Sequence, residues 1–121
     1  MWLRLGATAS LTGGALHAAT VCDADKKFKT IKVVYGDMPF WRAECLRVAL
    51  FVGGVPFEDV RDKPSIAEYR ARGDLTFGAL PVLDVDGKIL TQTQAMATFA
   101  AKLARLHPAD VWHAAKVDEV R

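Results

Sequence analysis

Tyr35 and Arg42 are the first side chains along the chain whose types and spacing could support chemistry. Tyr35 ends a β-branched run, and Arg42 follows it in the stretch "YGDMPFWRAE". A tyrosine hydroxyl can donate a hydrogen bond to a substrate thiolate, which favours ionisation of a thiol whose pKa is ordinarily about 8.5. An arginine in the first turn of a helix opposes the helix dipole, which favours a specific role for it. The residues alone equally allow a core aromatic at position 35 and a solvated charge at position 42.

Cysteine chemistry is disfavoured at this junction between a predicted strand and a predicted helix. Redox proteins of the thioredoxin type place a Cys-x-x-Cys pair there, and "YGDMPFWRAE" contains no cysteine. Cys45 lies one turn inside the predicted helix, where we expect a small buried thiol. Neither Cys22 nor Cys45 has a partner at metal-ligand spacing, and the three histidines form no ligand pattern, so we expect no metal site.

The elements that position these residues follow from the hydrophobic pattern. "TIKVVYGD" predicts a first strand, "RAECLRVALFVGG" a helix, and "VPFEDVR" a second strand. Two apolar strands joined by a helix of this length predict a parallel crossover. The glycine pair at the end of the helix provides its C-terminal stop. We expect the buried stripe of the helix to consist of Cys45, Val48, Ala49 and Val52.

The second half of the domain carries stronger turn and cap signals. Ser65 and Glu68 stand at capping-box spacing and predict a short helix that ends near Gly73. Asp86–Gly87 is a type I′ turn pair between two short strands. Thr93 is then the expected N-cap of a helix that runs to about Leu106. The order β-α-β-α-β-β-α predicts an α/β, thioredoxin-like domain with a four-stranded mixed sheet over residues 31–106.

The length, the net charge and the N-terminal composition of the chain limit its possible functions and locations. The chain has 121 residues and a formal charge of +2, without a basic cluster interleaved with aromatics, so nucleic-acid binding is not expected. Residues 1–30 contain no acidic residue before Asp23 and are typical of an organellar transit peptide or, more weakly, a signal peptide. A disordered extension or a misplaced start codon is the alternative. We expect a cytoplasmic protein, or an organellar one if residues 1–30 are a transit peptide.

Taken together, "KVVYGDMPFWRAECLRVAL", "GVPFEDVRD" and "FGALPVLDVDGKILTQTQAMATFAAKL" resemble the N-terminal domain of the glutathione S-transferases. Within that family the chain is most similar to the sigma class, which includes the glutathione-dependent prostaglandin D synthases. The resemblance runs from about Lys32 to the end of the chain. It implies a thioredoxin-like domain that binds glutathione as a co-substrate, without a metal, for reaction with a small electrophile.

The resemblance also assigns roles to individual residues. Tyr35 matches the catalytic tyrosine that stabilises the glutathione thiolate, and Arg42 matches the arginine that holds this loop and the tyrosine in place. Leu80–Pro81 matches a dipeptide with a cis proline whose backbone pairs with the cysteinyl part of glutathione. Gln92–Thr93 matches a Gln-Ser pair that receives the γ-glutamyl carboxylate at a helix N-terminus. Without the resemblance, Thr93 would be an N-cap and Gln92 a solvated loop residue.

Several positions depart from the family pattern. The "YGDMPFWRAE" motif is one residue longer than usual, and Ala79 replaces a Lys or Gln. Arg72 stands near a family lysine that contacts glutathione, and a solvated charge is the equal alternative. Residues 107–121 resemble the linker and the first turns of the family's all-helical C-terminal domain, which supplies the electrophile pocket and much of the dimer interface.

Three functions follow from these observations. The leading interpretation is a glutathione transferase that activates the glutathione thiol for conjugation to, or isomerisation of, a small electrophile. The second is a glutathione- or protein-binding module without catalysis, because the electrophile pocket is missing from this stretch of sequence. The third is a thioredoxin-like interaction domain in which Tyr35 and Arg42 are structural. A homodimer is expected only with the C-terminal domain present.

Overall fold

The computed structural model describes residues 28–120, so all but the last few residues of the predicted extension lie outside it. Four strands and four helices follow one another along the described chain. In chain order they are β1 (Ile31–Val34), α1 (Glu44–Val52), β2 (Glu58–Val60), α2 (Lys63–Ala71), β3 (Val82–Val85), β4 (Lys88–Leu90), α3 (Thr93–Leu103) and α4 (Val111–Glu119). Within these residues no helix is long and apolar enough to cross a membrane.

The four strands form one mixed sheet in the order β2-β1-β3-β4. β1 pairs in parallel with β2, with Val34 opposite Val60. The same strand pairs antiparallel with β3, with Val34 opposite Val82, and β3 forms the hairpin with β4. This confirms the predicted α/β, thioredoxin-like arrangement, because a helical crossover supplies the parallel pair and a tight turn supplies the hairpin.

Alternating side chains send two hydrophobic cores to opposite faces of the sheet. On one face Ile31, Val33 and Tyr35 of the β1 region pack with Leu83 and Val85 of β3, beneath α1 and α3. On the other face the interleaved residues pack beneath α2. That second core contains Val34, Val60, Tyr69, Leu75 and Val82. Both cores are needed because a sheet covered on only one side would leave its valines in water.

The apolar stripe predicted for α1 was wrong. Cys45 is exposed, and Val48 and Val52 are more than half exposed. The helix instead buries Leu46, Arg47 and Leu50. Apolar residues occur at helical spacing on both sides of α1, and the side that faces the core contains a charged residue, so the pattern favoured the side without one. The buried side is decided by contacts of Arg47 with residues outside the helix, Asp59 and Met38.

The prediction for the start of α2 was wrong, and the prediction for the hairpin turn was confirmed. Asp62, rather than Ser65, is the N-cap of α2, and its carboxylate accepts a hydrogen bond of 2.8 Å from the Ser65 backbone N–H. That bond lowers the pKa of Asp62. At the hairpin, Asp86 and Gly87 both have positive φ angles, of 51° and 81°, as a type I′ turn requires.

Helices α1 and α3 lie so close at their C-terminal ends that only glycine fits between them. A Cβ atom added at Gly53 would lie 2.3 Å from the Cβ of Ala104, the C-cap of α3. Because the two helices meet at their C-terminal ends and pack on the same face of the sheet, their N-termini emerge together at the other end.

We expect Gly53→Ala to lower the free energy of unfolding by about 1–3 kcal/mol, because the added methyl group overpacks this contact. Urea unfolding followed by circular dichroism measures the change. Gly36→Ala is the matched control, since a Cβ there meets no atom within 4 Å, and it should change stability by no more than about 0.5 kcal/mol. Equal effects of the two substitutions would contradict the close helix approach.

Candidate functional site

An open cleft lies where the N-terminal ends of α1 and α3 meet the chain entering β3. Five of the seven predicted site residues line it, although they come from three separate stretches of sequence. The lining consists of Arg42, Phe77, Ala79, Leu80, Pro81, Thr91, Gln92 and Thr93. The fold therefore brings the Leu80–Pro81 dipeptide, the Gln92–Thr93 pair and Arg42 into one site.

The backbone at Leu80–Pro81 lies beyond the last paired residue of the sheet. The antiparallel ladder between β1 and β3 ends at the Val34–Val82 pair, and the Leu80–Pro81 peptide bond is cis. The peptide groups of Ala79 and Leu80 therefore border the cleft outside the ladder. Free peptide groups at the end of a strand can pair with an extended peptide, as in β-augmentation.

The N-terminus of α3 opens into the same cleft without a side-chain cap. Gln92 occupies the N-cap position and Thr93 is the first helical residue, so the prediction that Thr93 caps the helix was wrong by one position. The first intrahelical hydrogen bond runs from the Met96 N–H to the Gln92 carbonyl, at 3.0 Å. The preceding N–H groups of the first turn lack intrahelical partners, and with the helix dipole they favour an anion in the cleft.

Gln92, at this helix N-terminus, has a strained backbone conformation. Its φ of 70° and ψ of 118° lie outside the regions that residues with a side chain normally occupy. Strain of this kind persists where the surroundings impose it, and it clusters at ligand sites. This strained residue lies at the N-terminus of α3, beside the cleft.

Because a positive φ disfavours any Cβ, we expect Gln92→Gly to be more stable than Gln92→Ala by about 1 kcal/mol. Both substitutions remove the Gln side chain, so each serves as the control for the other. Urea unfolding of the two variants measures the difference. An alanine variant as stable as the glycine variant would show that Gln92 is not strained in solution.

Arg42 is the charged residue of the cleft. Its side chain is exposed and it follows Trp41, whose φ of 94° is rare for a bulky residue. Trp41 belongs to the motif that is one residue longer than the family spacing, and its turn sets the direction in which Arg42 leaves the loop. With one arginine, one helix N-terminus and no carboxylate in the lining, the cleft is suited to a ligand with negative charge.

Tyr35 lies beneath this site rather than on its wall. It is 6% exposed, packs in the core under α1 and α3, and is not among the cleft residues. Its backbone N–H donates to the Val60 carbonyl at 3.0 Å, which extends the parallel strand pair by one residue. Its role towards a thiolate stays a prediction.

Arg47 makes the contacts that the sequence analysis expected of Arg42. Its Nη1 donates to the Met38 carbonyl in the loop after Tyr35, at 3.5 Å, and its guanidinium lies 6.0 Å from the centre of the Tyr35 ring. Its Nε and Nη2 both donate to Asp59, at 3.1 and 3.0 Å. The sequence contained a signal for this role, an arginine on the same side of the helix as two core leucines. The signal was missed because the other side of the helix was predicted to be buried.

Arg72 is not brought to the cleft. It stacks on the Tyr69 ring, 4.4 Å from the ring centre, and its Nε donates to Asp74 at 2.9 Å. Tyr69 in turn donates to the buried carboxylate of Asp84 at 2.7 Å. Burial, followed by this hydrogen bond, raises the pKa of Tyr69 to about 12. These contacts assign Arg72 to the support of α2 on the sheet.

Solved structures of known proteins share this fold. A glutathione S-transferase from the hookworm Necator americanus has a solved structure that superposes with a TM-score of 0.66 at 34% identity, over 75% of this chain and 43% of that one. The prostaglandin synthase D of Nilaparvata lugens superposes with a TM-score of 0.59 at 32% identity, over 74% of this chain and 44% of that one. The chain has a glutathione S-transferase-like fold.

Sequence comparison agrees with the structural likeness. A curated glutathione S-transferase from Anopheles gambiae is 36% identical over 81 residues, which are 64% of this chain and 37% of that protein. No protein-family model matches the chain. The chain thus spans little more than a third of the curated relatives it matches, and its likeness to them is that of the N-terminal, thioredoxin-like domain of the family.

A metal centre finds no support in the part of the chain that the structure describes. No group of three or more His, Cys, Asp or Glu side chains is close enough there to hold a metal ion.

The relatives are transferases named for glutathione, so the ligand to be tested in the cleft is glutathione.

Proposed function

We propose that the chain binds glutathione in the cleft and, in the manner of its transferase relatives, activates the glutathione thiol for reaction with a small electrophile. The single observation that carries this proposal is the convergence of three ligand-binding features. They are the peptide groups beside the cis Leu80–Pro81 bond, the uncapped N-terminus of α3 and the side chain of Arg42.

The chemistry of glutathione matches these features one by one. Its γ-glutamyl carboxylate would accept hydrogen bonds from the first N–H groups of α3 and from the Thr93 hydroxyl. Its cysteinyl peptide group would pair with the backbone at Leu80, which the sheet leaves unpaired. Arg42 would contribute positive charge, which attracts a tripeptide with two carboxylates.

Activation of the thiol is assigned to Tyr35. A hydroxyl that donates to the sulfur favours the thiolate over the thiol, and the thiolate is the attacking form. The thiolate sulfur would form a bond to the electrophilic carbon while the leaving group departs with the bonding electrons. No covalent bond to the protein is required, so the chain contributes binding, orientation and a hydrogen bond.

The finer assignments belong to the same proposal. We infer a sigma-class protein, for which the likeness to a prostaglandin synthase D is the support. We also infer that the electrophile and any second copy of the chain contact a helical C-terminal domain like that of the family. A cytoplasmic location is part of this proposal.

Calorimetric titration of the protein with glutathione tests the site. We expect binding at millimolar concentrations, weakened about fivefold or more by Arg42→Gln and by Thr93→Ala because each loses a charged or neutral hydrogen bond to a carboxylate. Thr93→Ser keeps the hydroxyl and should bind like the unchanged protein. Arg72→Gln is the matched control for Arg42→Gln, since Arg72 lies outside the cleft, and it should leave the affinity unchanged.

Two results would contradict the proposed site. One is the absence of binding at millimolar glutathione, and the other is an effect of Arg72→Gln as large as that of Arg42→Gln. Turnover of a generic aryl halide separates an enzyme from a binding module: conjugation that Tyr35→Phe abolishes supports the enzyme. Binding without conjugation supports a module that binds glutathione and does not activate it.

A further inference from the structure

Arg47 is buried at a position where an apolar residue would stabilise the fold as well as the arginine does. Its side chain is 7% exposed and lies between Leu46 and Leu50 on the core side of α1. Removing an arginine from water costs several kcal/mol, and a well-packed apolar side chain in place of a buried ion pair is often as stabilising or more so. The stability of the fold therefore does not by itself account for this arginine.

The contacts of Arg47 converge on the chain that follows Tyr35. Its guanidinium reaches Asp59 in β2, the Met38 carbonyl in the loop, and the Tyr35 ring. A fourth contact joins Nη1 to the Glu44 carboxylate at 3.5 Å. A planar fork with five donors can hold several acceptors at fixed angles, which a lysine at the same place cannot do.

A second arginine, Arg61, contacts the same loop. Arg61 donates to the remaining oxygen of Asp59 at 2.8 Å and pairs with Asp37, the residue before Met38, at 3.5 Å. Asp59 thus joins two arginines, each of which holds one residue of the loop. The loop leaves Tyr35 at a position fixed by this bridge and by the bond from Tyr35 N–H to the Val60 carbonyl.

We propose that Arg47 is a positioning residue, which fixes the Tyr35 ring and residues 36–38 so that the Tyr35 hydroxyl meets the glutathione sulfur. This inference rests on the proposed function. Arg47 does not line the cleft, so it acts through Tyr35 and not by contact with the ligand. Asp59 and Arg61 hold the other side of the same loop and support the same geometry.

The test compares Arg47→Lys with Tyr35→Phe and with the double variant. Arg47→Lys keeps the charge and loses the fork, so the affinity for glutathione should stay within about twofold because the cleft is unchanged. The apparent pKa of bound glutathione, read from the ultraviolet absorbance of its thiolate, should rise by about one unit, a tenfold loss of thiolate near neutral pH. In the Tyr35→Phe background the same substitution should produce no further rise.

A structural role for Arg47 predicts a different pattern. Loss of packing alone would lower stability without changing the thiol pKa, or would change it equally with and without the Tyr35 hydroxyl, and either result overturns the proposal. Lys32→Gln is the matched control, because it breaks an ion pair of 3.0 Å between β1 and β2 without touching the loop. If Arg47→Lys fails to fold, Arg61→Gln, at a partly exposed position, should raise the thiol pKa less, again only when Tyr35 is present.

A measurement without glutathione separates this inference from the proposed function. Ring resonances of Tyr35 and the Met38 amide, followed by NMR, should shift in Arg47→Lys and stay in place in Lys32→Gln. If the unchanged protein binds no glutathione, the proposed function fails, and these resonances still decide whether Arg47 fixes the loop. If glutathione binds and Tyr35→Phe raises the thiol pKa while Arg47→Lys does not, only the positioning role is overturned.

Discussion

The close contact between Gly53 and Ala104 determines how the rest of the molecule presents its cleft. α1 and α3 pack side by side on one face of the sheet, and at this point a single Cβ would separate them. Because they meet at their C-terminal ends, both N-terminal ends face the chain that enters β3. Arg42, which precedes α1, and Thr93, which begins α3, therefore line the same cleft from elements about fifty residues apart in sequence. The core residues beneath them, including Tyr35, keep this arrangement rigid.

Local backbone geometry supplies the features on which the proposed binding site rests. The cis peptide bond at Leu80–Pro81 and the positive φ of Gln92 both occur in residues that line the cleft. The Gln92 conformation costs free energy that the rest of the domain must offset. A strained residue beside an uncapped helix N-terminus is consistent with a site organised before its ligand arrives, which reduces the entropy lost on binding.

The sequence predicted those parts of the molecule whose signals are local. The Asp86–Gly87 turn needs only two adjacent residues with positive φ, and the strand and helix order needs only the hydrophobic period and breaks at glycine and proline. The cleft residues Leu80, Pro81, Gln92 and Thr93 followed from a resemblance that spans several motifs, and the fold places them together. Features that depend on distant partners were missed. The buried face of α1 depends on Arg47 pairing with Asp59, a residue of β2 outside the helix. The cap of α2 was missed for a smaller reason, since Asp62 and Ser65 both fit an N-cap and only the backbone decides between them.

The most direct test of the central claim, that glutathione occupies the cleft formed by the ends of α1 and α3, is a two-dimensional NMR titration of the isotopically labelled chain. Amide resonances of Arg42, Leu80, Gln92 and Thr93 should move together and saturate at one glutathione concentration, while those of Tyr69 and Arg72 stay in place. Shifts centred on Tyr69 and Arg72, or resonances that do not move at millimolar glutathione, would contradict it.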